Sequence, residues 1–207
     1  MRTTATKEKI FDATMALVSA KGYVGATTRE IAREAGVTEL TLFRHFGSKE
    51  RLFEQCLGRR TFLPDLKELL PELEGMSYEE ALRTIGRKFL LSLKERKQMV
   101  MIMQSEMTRS PVRMKRIYGQ FMDEMLGILG SYFCALQKQG ALRQFPSEVA
   151  ARMFLGMLFS YFRSEEIMRG TDITKQGRMD RAVAGFVDIF AHGTLPIKNS
   201  VGKRRRS

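Results

Sequence analysis

The stretch TTREIAREAGVTELTLFRHFGS, residues 27–48, leaves the chain little freedom. Thr27 is placed to cap a helix, and Glu30 follows three residues later at capping-box spacing. Gly36 ends that helix, and Thr38 caps the next almost at once. Phe46-Gly47 closes the second helix, and Ser48 caps another. Two short helices joined by a tight glycine-containing turn make a helix-turn-helix unit. Ala32 is small where the two helices must approach, and Val37, Leu42 and Phe46 fill the inside. Leu40 then stands on the other face with Glu39, Thr41, Arg44 and His45.

Helical periodicity continues on both sides. Ile10, Ala13, Leu17 and Ala20 predict a helix over 7–21, stopped by Gly22. LPDLKELLPELEG reads as a short, broken helical connection, followed by helices over about 77–94, 98–108, 111–139, 147–168 and 175–192. The expected fold is all-α, with an N-terminal three-helix helix-turn-helix domain (1–60, recognition helix 38–46). A C-terminal helical bundle (61–195) would serve ligand binding and dimerisation, and a basic tail follows (196–207).

Residues 10–53, with ATTREIAREAGVTELTLFRHFGSKERLF at their centre, resemble the DNA-binding region of the TetR family of bacterial transcriptional regulators. The resemblance implies that 38–45 enters a major groove. It also implies that Thr27, Thr28 and Lys49 touch phosphates. Chemistry agrees, because helix N-termini, hydroxyls and ammonium groups all serve phosphate oxygens. Arg29, near a helix start, is a further phosphate candidate. Arg44 can donate twice to a guanine edge, and Leu40 can meet a thymine methyl. Thr41 suits a base or a phosphate, and Thr38 opens the helix. His45 either meets a phosphate or packs. Glu39 either accepts from a cytosine amino group or complements the helix dipole. Phe43 stands where the family commonly has tyrosine, so one phosphate hydrogen bond is missing.

The resemblance also implies a dimer and a small effector. Gly156, Ser160 and Ser164 form a small-residue row, beside Phe154 and Met157, on a helix apolar nearly all round. With the stripe Met179, Val183, Phe186 and Phe190, they predict a four-helix interface between two copies; the alternative is an intrachain core. There are 14 Met and 14 Phe, concentrated after residue 60. Phe89, Leu93, Met103, Met107, Tyr118, Met122 and Tyr161 are the expected lining of a pocket, with plain core as the alternative. Gln104 and Glu106 are too few to mark a polar ligand, so a hydrophobic effector is expected. It would act by changing the separation of two recognition helices, which must lie about 34–36 Å apart.

The formal charge of +12 is unevenly spread. Residues 1–60 carry 11 basic against 7 acidic groups, 61–195 carry 19 against 16, and 196–207 carry 5 against none. The local pattern, more than total charge, therefore argues for double-stranded DNA, specifically a pseudo-palindromic operator. No apolar run is long enough to span a membrane and no signal core is visible, so a cytoplasmic place is expected. Cys56 and Cys134 are distant and read as reduced thiols. There are two histidines, no phosphate-binding glycine loop, no metal-ligand cluster and no nucleophile elbow, so neither enzyme nor cofactor is expected. The competing class is a helical protein-interaction adaptor, or a regulator without a small effector.

Overall fold

The computed structural model describes residues 2–59, 61–109 and 111–195; the basic tail, with its Lys203–Arg206 run, lies outside them. Among the described residues every regular element is helical. In chain order they are α1 (Arg2–Gly25), α2 (Thr28–Glu34), α3 (Glu39–Phe46), α4 (Lys49–Arg59) and α5 (Leu63–Leu69). Then come α6 (Tyr78–Glu95), α7 (Lys97–Arg109), α8 (Pro111–Lys138), α9 (Ser147–Phe162) and α10 (Arg178–Thr194).

The local rules hold closely around the turn. Thr27 accepts from the Glu30 N–H while Glu30 accepts from the Thr27 N–H, completing the capping box. Thr38 accepts from the Thr41 N–H and Ser48 from the Arg51 N–H. Gly36 takes φ 66°, a conformation other residues rarely adopt. Gly22 differs from expectation. It does not stop α1 but kinks it, at φ 74°, ψ 168°, and the helical turn resumes with the Ala26 N–H donating to the Gly22 carbonyl.

Two compact units result: Met1–Glu72 with Lys88–Met125, and Leu73–Arg87 with Leu126–Ser207. This division differs from one at residue 60, for a physical reason. Met99, Ile102 and Met103 of α7 are buried in the same core as Ile10, Phe11, Ile31, Leu42, Phe46 and Phe53 of α1–α4. The Phe11 and Phe46 rings lie 5.3 Å apart and Tyr23 and Phe53 4.9 Å apart, tying α1 to α3 and α4. Arg116 of α8 pairs with Glu50 in the first turn of α4.

The second unit is centred on aromatic rings. Phe190 of α10 lies 5.1 Å from Phe154 of α9 and 5.8 Å from Phe133 of α8. The loop before α9 is fastened by Gln137, whose amide donates to the Arg143 and Phe145 carbonyls. The helix expected over 147–168 is divided. Pro146 occupies the N-cap position of α9, and after Phe162 the chain widens into a π-helical turn, Arg163–Met168. Buried Glu166 in that turn accepts from the Ile173 N–H, which anchors the return to α10.

Candidate nucleic-acid interface

Helix α3 is held firmly on one side. Leu42 and Phe46 are buried, and burial of side chains this size is worth about 1.5–3 kcal/mol each. Its other side is open. Leu40, the second residue of the helix, is 79% exposed, and Phe43 is 42% exposed. Arg44, one turn after Leu40, is exposed and has no ion pair or hydrogen bond among the described residues. An exposed leucine and a free guanidinium on one short, rigid helix form a surface that can read a base methyl and a base edge.

The flanking residues are more engaged than sequence reasoning expected. The Thr28 hydroxyl donates to the Glu39 carboxylate, linking the start of α2 to the start of α3. Neither sequence reading of Glu39 anticipated this, because the two residues are eleven positions apart. The Thr27 hydroxyl donates to the Glu30 carboxylate at 3.0 Å. Both threonine protons are therefore held by carboxylates, which leaves these hydroxyls as acceptors unless a phosphate displaces them. Glu30 is also paired with Lys21 at 2.7 Å. The Lys21 ammonium, with the Thr27 N–H and hydroxyl, holds the Glu30 carboxyl down at about 2.

Lys49 is likewise positioned. Its ammonium donates to the Val24 carbonyl at 3.3 Å and sits 4.5 Å from the centre of the Tyr23 ring. Arg29 is exposed at the start of α2 and unpaired among the described residues. His45 is half-buried, its ring 6.1 Å from that of Phe46. The Thr41 and Thr38 hydroxyls share a hydrogen bond at 2.9 Å.

The expected dimer residues separate into two sets. Phe154, Met179, Val183 and Phe190 are buried within the chain, so these four side chains face its own core. Aromatic packing onto Phe133 decides this. Gly156 and Ser160 are exposed, while Met157, Ser164 and Phe186 are half-buried. Sequence reasoning named Gly156 and Ser160 of the open face and missed the residues around them. The face runs through Val149, Met153, Gly156 and Ser160 on α9 and through Gly185 and Ile189 on α10. Ile189 is 69% exposed, and a Cβ added at Gly156 or Gly185 would meet nothing within 4 Å. The i, i+4, i+7, i+11 spacing of the α9 set was the available signal.

The pocket candidates also divide. Met103 is in the core of the first unit, and Met107 and Tyr118 pack against it. Phe89 is buried against Phe62 in an edge-to-face pair at 5.1 Å, and Leu93 and Met122 are half-buried. Tyr161 belongs to the second unit, 5.9 Å from the Phe186 ring. Among the described residues no group of His, Cys, Asp or Glu is placed to hold a metal, and no helix is long and apolar enough to cross a membrane.

Two family models match the chain, one at each end. Residues 10–56 match the family model described as bacterial regulatory proteins, tetR family. Residues 80–193 match the model of the AefR-like transcriptional repressor C-terminal domain. The chain is 31% identical over 160 residues to YvkB, an HTH-type transcriptional regulator of Bacillus subtilis, covering 76% of this chain and 81% of that one. A TetR-family regulator from Mesorhizobium loti superposes with TM-score 0.76 at 24% identity, over 95% of this chain and 100% of that one. The Bacillus subtilis regulator FadR, solved with stearoyl-CoA, superposes with TM-score 0.69 at 19% identity, over 90% and 98% respectively.

Proposed function

Because the chain belongs to the TetR family of bacterial regulatory proteins, we propose that two copies together grip a pseudo-palindromic operator and repress transcription from it. The chain is a DNA-binding transcriptional regulator and not an enzyme. Residues 1–60 carry DNA contact, and 61–195 carry dimerisation and response to a small effector. One observation carries the reading: Leu40 and Arg44 stand exposed on a helix whose opposite side is locked into a core. Leu40 reads a thymine methyl, Arg44 reads a guanine edge or a phosphate, and Arg29 and Lys49 neutralise backbone phosphates. Glu39 sets the position of α3 through Thr28, and Thr38, Thr41, Phe43 and His45 complete the contact surface.

Substitution separates these roles. Leu40→Ala lowers discrimination at one base step, on the order of fivefold to tenfold, and leaves other positions unchanged. Arg29→Ala and Lys49→Ala weaken binding to every sequence alike and reduce the salt slope by about 1 each. Competition binding against single-base operator variants at several salt concentrations measures both. If Leu40→Ala acts uniformly across sequences, its base-reading role is wrong.

A two-fold pair is the arrangement that the open α9–α10 face suits. Val149, Met153 and Ile189 supply apolar area, and Gly156 and Gly185 allow close helix approach. An effector that binds one arrangement of this pair more tightly shifts its equilibrium and releases DNA. Support for an effector comes from the Met-rich α7 and from FadR, a protein of similar fold solved with stearoyl-CoA.

A further inference from the structure

We propose that Glu106 is the polar anchor of an effector site, and that the molecule it takes is apolar with one cationic, hydrogen-donating nitrogen. The inference rests on the effector-responsive reading above and names the ligand class. Glu106 lies in the last turn of α7, and its side chain is 2% exposed. Among the described residues its Oε2 has no hydrogen-bond partner. Its Oε1 is 3.8 Å from the Arg109 guanidinium, too far for a hydrogen bond, and that guanidinium is largely in solvent. A buried carboxylate without a donor is strongly disfavoured, and native proteins rarely leave one.

The apolar residues of α7 and of the core it joins set the character of the rest of the ligand. Met99, Ile102 and Met103 on the same helix are buried in the core, and Met107, Tyr118 and Phe121 pack against it. Thioethers and aromatic edges accommodate an apolar body of variable shape. An ammonium completes the carboxylate's missing hydrogen bond and neutralises its charge. A carboxylate or phosphate headgroup brings a second negative charge beside it and is rejected. The class therefore differs from an acyl-CoA and is narrower than the hydrophobic effector expected from sequence.

The position also suits regulation. Oε1 of Glu106 lies 3.0 Å from where a Cβ on Gly22 would stand, so it touches the kink in α1. Two residues beyond that kink, the Val24 carbonyl accepts from Lys49, and the Tyr23 ring lies under the same ammonium. A group drawn to Glu106 thus bears on the segment that positions a phosphate-binding residue.

Octylamine, 1-octanol and octanoate share one chain and differ in headgroup. Isothermal titration of each into the purified protein and into Glu106→Gln tests the proposal. Octylamine is expected to bind the wild-type protein at least tenfold more tightly than octanol, with octanoate weakest. Glu106→Gln should abolish that preference while its melting temperature stays level or rises. Glu106→Met, matching the neighbouring thioethers, is the second variant and should lose the preference too. An amine preference that survives both changes overturns the assignment. Equal binding of all three probes overturns it while leaving effector response intact. Binding of none, with no release of selected operator DNA, overturns the site and the effector reading together.

Discussion

Gly22→Ala is expected to destabilise the protein by about 2–4 kcal/mol. Gly22 holds φ 74° with ψ 168°, a region essentially reserved for glycine, and an alanine there is strained by about 1–3 kcal/mol whatever surrounds it. Its Cβ would also stand 2.9 Å from Arg109 Nη1 and 3.0 Å from Glu106 Oε1. The exposed arginine can swing away. Glu106 is buried and cannot, so the methyl group must displace either the carboxylate or the kink. Since the kink leads to Tyr23 and Val24, which hold Lys49, DNA affinity should fall as well. Thermal unfolding is expected to show a midpoint lowered by about 5–15 °C. A midpoint within 1 °C of wild type would mean that the kink relaxes freely.

The second large effect concerns the open face. Gly156→Glu combined with Ile189→Glu is expected to give a monomer with an unchanged fold. Both positions face solvent in the single chain, and the space beyond Gly156 is empty, so neither change disturbs a core. Across a two-fold axis each change occurs twice, placing four charges in an apolar contact. Losing the pair removes simultaneous engagement of two half-sites, and operator affinity should drop on the order of 100-fold or more. Sedimentation and operator binding measure the two consequences. A variant that remains dimeric and binds normally would place the interface elsewhere.

Local chemistry was legible in the sequence. The caps at Thr27, Thr38 and Ser48 and the turn at Gly36 follow from side-chain oxygens and from glycine's freedom, and each stands where the spacing puts it. The inside of α3 was legible because Leu42 and Phe46 recur at helical spacing. The outer face of α10 was not. Its buried stripe and its exposed isoleucine are both apolar, and only the rings of Phe133 and Phe154 decide which side faces inward. Links between distant positions were equally hidden: Thr28 to Glu39, Lys49 to Val24, and Glu106 beside Gly22. None follows from periodicity, since each depends on how one helix lies across another.

The most direct test is selection of bound sites from random DNA by the purified full-length protein, repeated with Leu40→Ala. An inverted repeat is predicted, with half-sites about one helical turn or a multiple apart, and Leu40→Ala should change one position in each half-site symmetrically. Recovery of a single unrepeated half-site, or of no enriched sequence at all, would contradict a dimer that reads DNA through α3.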